Sequence, residues 1–80
     1  MSGFPRHWQF DDVFDSVDNG CGDFILDLRG QIAALPAGAV LMVASRDAGA
    51  PIEVPAWCRL TGHHLLEAQP PFYLIRKRRD

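Results

Sequence analysis

The stretch "AVLMVAS" (39–45) decides the fold, because it is a continuous apolar run of the length of a strand. The residues "PAG" (36–38) stop the preceding pattern just before it. A run without polar alternation is typical of a central strand that is buried on both faces. Helical patterns lie on both sides of this run. We therefore expect a sheet whose middle strand is covered by other layers.

The first helix is predicted over residues 22–35. Its apolar residues are spaced three, four and three apart, which places them on one face of a helix. This stripe contains Ile25, Leu28, Ile32 and Leu35, and Phe24 and Leu26 widen it. Because the stripe is wide, we expect the helix to be well covered.

A second helix is predicted over residues 48–61. Asp47 is a plausible N-cap, and Gly62 provides a left-handed stop. Pro51 is tolerated near the first turn, whereas Pro55 lies deeper and should disturb the regular part of the helix. One face is predicted to contain Ile52, Ala56 and Leu60, with Trp57 beside it.

Three further strands complete the pattern. Residues 11–17 are rich in β-branched and aromatic side chains, which favours a short first strand. Residues 63–68 and 71–77 are joined by a connection so short that they should pair as an antiparallel hairpin. The order β-α-β-α-β-β requires a parallel pair with a right-handed crossover. The predicted fold is therefore an α/β (α+β) two-layer sandwich with two helices on one face of a four-stranded mixed sheet.

Length and composition bound the organisation. The chain has 80 residues and a net charge of −2, with 48% hydrophobic residues. We expect one domain over residues 11–78 and a loosely ordered arm over residues 1–10, whose Trp8 and Phe10 cover part of the core. No apolar run is long enough to cross a membrane, and no secretion signal is recognisable, so we expect a cytoplasmic protein.

The basic run "RKRR" (76–79) departs from the acidic average. One interpretation is a solvated end of the last strand, and the other is a weak contact with phosphate or RNA. The negative net charge argues against direct binding of nucleic acid.

Cys21 is the first candidate for chemistry. It lies between Gly20 and Gly22 at the predicted start of the first helix, where unpaired N–H groups and the helix dipole favour a thiolate. Asp23 opposes this, because its carboxylate disfavours a second negative charge nearby. Arg29 lies two turns further on. The residues alone leave open a reactive thiol and a merely structural cysteine.

The remaining metal-ligating and nucleophilic side chains have simpler explanations. Cys58 follows Trp57 within the second helix and is expected in the core, as a small hydrophobic residue. No Cys-x-x-Cys or His-x₃-His spacing is present, and the adjacent His63 and His64 would point to opposite faces of a strand. We therefore expect no metal site and no cofactor.

The second half of the chain resembles a known family. The segment "SRDAGAPIEVPAWCRLTGHHLLE" (45–67) and the closing "YLIRK" (73–77) resemble the TusA/SirA-like sulfur carriers. Members have an Ile/Val-Pro-x-aromatic-Cys step, a Gly-His-x-Leu strand and a final Leu-Ile-Arg-Lys strand. The positions that match are Val54, Pro55, Trp57, Cys58, Gly62, His63 and Leu65. The resemblance covers roughly residues 11–78 and implies the same order of elements.

The resemblance also implies a site. The family motif Cys-Pro-x-Pro-x-Leu-x-x-Lys opens the first helix, and its cysteine accepts a persulfide and passes the sulfur on. This chain keeps the cysteine as Cys21 but has Gly22 and Phe24 in place of both prolines and Arg29 in place of the lysine. It is thus a divergent member by resemblance, and Asp23 adds a negative charge beside the thiol.

Two functions follow as expectations. The first is a sulfur carrier or sulfurtransferase accessory, in which Cys21 holds a persulfide stabilised by the N–H groups of residues 23 and 24. It would take sulfur from a donor such as a cysteine desulfurase and deliver it to an acceptor protein, without a metal or cofactor. The second is an interaction domain that keeps the fold and has lost the chemistry. We expect a monomer in either case.

Overall fold

This computed structural model describes residues 5–15 and 21–79, without the side chains of residues 21–23. Residues 1–4 of the expected arm therefore lie outside the described residues. Residues 16 and 17 of the predicted first strand lie outside them as well. The helices are α1 (Cys21–Ala33) and α2 (Ala50–Thr61). The strands are β1 (Asp12–Asp15), β2 (Val40–Ala44), β3 (His64–Gln69) and β4 (Phe72–Arg76).

The four strands form one sheet in the order β1-β2-β4-β3. β1 pairs with β2 in parallel, with Phe14 opposite Val43, whereas β2 and β4 are antiparallel, with Met42 opposite Leu74. β3 and β4 form the predicted antiparallel hairpin, with an irregularity between Leu65 and Glu67. The α/β sandwich with a mixed sheet and the order β-α-β-α-β-β are thereby confirmed.

Both helices pack on one face of the sheet. The buried cluster on this face combines residues of the two helices with Phe14, Leu41, Val43, Tyr73 and Ile75 of the strands. Neither helix of the described part is long and apolar enough to span a bilayer.

The opposite face of the sheet is covered by the N-terminal segment. Trp8 is only 6% exposed and packs in a cluster with Met42, Ala44, Phe72 and Leu74. Asp11 anchors the segment, because its backbone N–H donates to the Val40 carbonyl oxygen and its carboxylate accepts from the Val40 N–H, both at 2.8 Å. The central strand β2 is therefore buried on both faces, as its uninterrupted apolar run predicts.

Helix α2 departs from the prediction at its start and in its orientation. It begins at Ala50 with Gly49 as the N-cap, so the expectation that Asp47 caps it was wrong. Asp47 instead accepts the Ala50 N–H through its backbone oxygen, in a turn that precedes the helix. The helix continues through Pro55 and ends as predicted at Gly62, whose φ of 84° requires glycine.

The buried face of α2 is not the predicted one. Ile52 is 77% exposed and Leu60 is 86% exposed, whereas the helix buries Ala50, Val54, Trp57 and Cys58. Both sets recur at helical spacing, so the pattern alone does not select between them. The structure buries the stripe that contains the large indole ring of Trp57. The same correction applies to Leu26 on α1, which is 64% exposed.

Candidate functional site

Helix α1 begins at Cys21, so the backbone of this residue lies in the first turn. Because α1 connects two parallel strands, its N-terminus lies at their carboxyl-end edge of the sheet. The first N–H groups of a helix have no partner within it, and the dipole makes this end positive. Gly20 lies outside the described residues, as do the side chains at positions 21–23, including that of Asp23.

Phe24 and Arg29 occupy different environments on α1. Phe24 is 1% exposed and stacks on Phe14 of β1, with ring centroids 6.1 Å apart and planes inclined by 6°. Arg29 is exposed and lies eight residues beyond Cys21, which is about 12 Å along a helix axis. The structure therefore places Phe24 in the core at the start of α1 and Arg29 well down its outer surface.

Cys58 lies in the core, as predicted. Its side chain is 2% exposed and belongs to the cluster between the helices and the sheet. Burial raises the pKa of the Cys58 thiol to about 11, although the positive charge of Arg59 opposes this rise. A thiol in this environment stays protonated near neutral pH and is out of reach of another protein.

This burial has a consequence at alkaline pH. The folded chain binds the Cys58 proton more tightly than the unfolded chain does. The protonated thiol therefore stabilises the fold below pH 9, and this contribution to the free energy of unfolding is lost as the pH rises toward 11. Urea unfolding should show that the free energy of unfolding falls by up to about 2 kcal/mol between pH 9 and pH 11. Burial and Asp47 also raise the pKa of Tyr73, which acts in the same direction.

The matched variant for this prediction is Cys58→Ala. In this variant the free energy of unfolding should still fall at alkaline pH because of Tyr73, whereas the fall that the Cys58 thiol causes should be absent. An identical pH dependence in both proteins would show that Cys58 does not titrate with a raised pKa.

A groove of about 620 Å³ runs between the two helices. Leu26 and Arg29 of α1 form one side, and Leu60 of α2 forms the other. His63, Lys77 and Arg78 line it as well. Among the described residues that line the groove, the permanently charged side chains are all cationic, although the whole chain has a net charge of −2.

The basic run after β4 is built into the fold. Lys77 Nζ donates to the backbone oxygens of Ala33 and Leu35 at 3.2 and 2.6 Å, which caps the carboxyl end of α1. Arg78 donates through a guanidinium nitrogen to the Thr61 oxygen at 3.0 Å, at the carboxyl end of α2. Cations stabilise this end of a helix. The two side chains therefore hold both helices, which the interpretation as a solvated strand end missed.

His63 joins the carboxyl end of α2 to the last strand. Its Nδ1 accepts the Arg78 backbone N–H at 3.0 Å, and its ring lies 5.2 Å from that of Trp57. Burial, followed by the neighbouring charges of Arg78, Lys77 and His64, lowers the pKa of His63. The neutral ring that results is the form that can accept this hydrogen bond. The histidine therefore has a hydrogen-bonded packing role between α2 and the last strand.

Sequence reasoning named Cys21 and Arg29 but missed the exposed apolar side chains of the two helices. Leu26, Ile52 and Leu60 were assigned to buried faces, and the structure exposes all three. Leu26 and Arg29 lie on the same outer surface of α1, and Leu60 faces them across the groove. The sequence does contain a signal for this exposed apolar surface. Helix α2 has two apolar stripes, and only one of them is buried against the sheet.

Relatives of the whole chain are found among bacterial proteins. No protein-family model matches this sequence. A protein of Pseudomonas putida named sulfur carrier protein TusA is 31% identical over 74 residues, which cover 88% of this chain and 92% of the relative. A protein of the same name from Pseudomonas entomophila is 32% identical with the same coverage. Another, from Pseudomonas savastanoi, is 31% identical over 88% of each chain. With this identity over nearly its whole length, the chain belongs to the TusA family, as a divergent member without the two prolines that the family motif places after its cysteine.

Proposed function

We propose that this protein is a sulfur carrier that accepts a persulfide on Cys21 and relays the sulfur to a partner protein. Its relatives carry the name sulfur carrier protein, and they match this chain over most of both lengths. A thiol that must stay reduced between two encounters fits the cytoplasm.

The observation that carries the proposal is the contrast between the two cysteines. Cys58 is buried and its raised pKa keeps it protonated. Cys21 is the first residue of α1, and a helix N-terminus lowers the pKa of a cysteine and makes it more nucleophilic. By elimination, the thiol that exchanges sulfur is Cys21.

The reaction is a thiol–persulfide exchange. The Cys21 thiolate attacks the outer sulfur of the donor's persulfide, a new S–S bond forms at Cys21, and the donor cysteine leaves as a thiolate. In delivery, the acceptor's thiolate attacks the outer sulfur of the Cys21 persulfide, and Cys21 leaves as a thiolate. No oxidant or cofactor is needed, because the oxidation state of the transferred sulfur does not change overall. The backbone N–H groups of residues 23 and 24 stabilise the charge on the outer sulfur.

The donor is a protein, and we place its docking surface along the α1–α2 groove. Leu26 and Leu60 expose apolar area there, and exposed apolar patches mark sites of protein contact. Arg29 adds a cation to the same groove, about one turn beyond Leu26 on α1. The complementary donor surface is therefore acidic, with apolar side chains that cover the two leucines.

This docking surface predicts a partner-dependent defect. Leu60→Ser should slow loading from a limiting amount of cysteine desulfurase about tenfold, because an interface leucine loses its contact. The rate of alkylation of Cys21 by iodoacetamide should not change, since the thiol itself is untouched. Leu66→Ser is the matched control, because Leu66 is 38% exposed on β3, away from the groove. Equal loading rates for the two variants would contradict docking in the groove.

A second candidate is an interaction domain without sulfur chemistry. The loss of both motif prolines, replaced by Gly22 and Phe24, favours it, because the helix start is then less rigidly fixed. Asp23 favours it as well, because it adds a negative charge two residues from Cys21. The same groove would then bind a partner protein without any transfer of sulfur.

Peptide mapping of the loaded wild-type chain separates the two functions. The chain is incubated with a cysteine desulfurase and cysteine, capped with iodoacetamide, digested and sequenced by mass spectrometry. The carrier function predicts one additional sulfur on the peptide that contains Cys21 and none on that of Cys58. If no peptide gains sulfur while the Pseudomonas putida relative is loaded in parallel, the interaction domain is the better description.

A further inference from the structure

Two aromatic rings join the strand before Cys21 to the helix that begins with it. Phe14 is the third residue of β1 and Phe24 is the fourth residue of α1. Their rings are nearly parallel with centroids 6.1 Å apart, which is the offset stacking that aromatic pairs favour. Both side chains are buried, with exposed fractions of 7% and 1%. The stack therefore links the two ends of the segment in which Cys21 lies.

The first turn of α1 needs such a link. Gly22 has no side chain to pack and has wide conformational freedom, and helix ends tend to fray. The next fully buried side chain on the helix is Leu28, one turn beyond Phe24. Of the described side chains in the first turn, Phe24 is thus the one that attaches it to the sheet.

We infer that Phe24, through its stack on Phe14, is a positioning residue that holds the first turn of α1 in place around Cys21. The inference rests on the proposed function of Cys21 and explains how this chain dispenses with the prolines of the family motif. A proline fixes the start of a helix through its own ring. Here a ring at position 24 does so by packing on the sheet. Loosening the stack frays the turn, and the N–H groups and helix dipole then favour the thiolate less.

The expected effect is on the thiol before any sulfur is present. Phe24→Leu keeps an apolar side chain but removes the stack. We expect the pKa of Cys21 to rise by about half a unit to one unit, so that alkylation by iodoacetamide at pH 7 slows about three- to tenfold. Intact-protein mass spectrometry over a pH series measures both quantities, and Cys58 does not interfere because it is buried.

Three further variants make the result decisive. Leu28→Val removes buried volume from the same helix, one turn beyond Phe24. Urea unfolding verifies that its loss of stability is comparable with that of Phe24→Leu. Its rate of alkylation over the pH series should match that of the wild type. Phe14→Leu should reproduce the effect of Phe24→Leu, and the double variant should add nothing, because both substitutions remove one stack. Phe14→Leu also serves alone if Phe24→Leu does not fold.

A shift in Phe24→Leu or Phe14→Leu no larger than that in Leu28→Val would overturn the inference. Additive effects in the double variant would overturn it too, because the residues would then act separately. Alkylation requires no sulfur donor. A chain that shows the shift but never accepts sulfur would therefore refute the proposed function and leave the positioning role of Phe24 standing.

Discussion

Replacing Cys21 with serine is expected to abolish sulfur loading completely. Serine has nearly the same size, but its hydroxyl neither ionises near neutral pH nor forms a persulfide. Cys58 cannot take over, because it is 2% exposed and its pKa is raised to about 11. Intact-protein mass spectrometry after incubation with a cysteine desulfurase and cysteine measures the result directly.

The matched variant is Cys58→Ser, which should load like the wild type at a temperature where it is folded. Urea unfolding of all three proteins checks that Cys21→Ser retains its fold, since Phe24 and Leu28 pack α1 into the core. Residual loading of Cys21→Ser would show that sulfur reaches another group. Loss of loading in folded Cys58→Ser would contradict a purely structural Cys58.

Replacing Trp8 with alanine is expected to lower the free energy of unfolding by about 3 kcal/mol. The indole is buried against the sheet face opposite the helices, where it covers Met42, Phe72 and Leu74. A domain of this size is stable by about 4–12 kcal/mol, so the substitution removes a large share. Chemical denaturation monitored by circular dichroism measures the change.

Trp8→Phe is the control for this prediction. The indole Nε1–H is buried and has no hydrogen-bond partner among the described residues, which offsets part of the gain from burying the ring. Phenylalanine keeps an aromatic ring and removes this group, so its cost should be less than half that of alanine. If alanine and phenylalanine cost the same, the N-terminal segment does not depend on an aromatic ring at position 8.

The sheet was predictable from the sequence because each of its strands has one clear reason to form. The run over β2 is apolar at every position, and the structure uses both of its faces, one under the helices and one under Trp8. The hairpin of β3 and β4 follows from a connection too short for any other pairing. These inferences depend on residues near one another in the chain.

The orientation of α2 was not predictable in the same way. Ile52 and Leu60 form an apolar stripe as regular as that of Val54 and Cys58, and only packing against the sheet decides which stripe is buried. The same holds for Lys77 and Arg78, whose partners are the ends of helices at least 17 positions away in sequence. Of the candidate site, sequence reasoning found the cysteine at the helix start, whereas the groove and the Phe14–Phe24 stack depend on tertiary contacts.

The mass of the wild-type chain before loading, after loading and after reduction tests the central claim most directly. The chain is incubated with a cysteine desulfurase and cysteine and then treated with dithiothreitol. We predict a gain of about 32 Da that dithiothreitol removes with release of one sulfide per chain, because the outer sulfur of a persulfide passes to an attacking thiol. No gain beside a loaded Pseudomonas putida relative would contradict the carrier function. So would a gain that dithiothreitol leaves in place, since two oxygen atoms on an oxidised cysteine add the same mass.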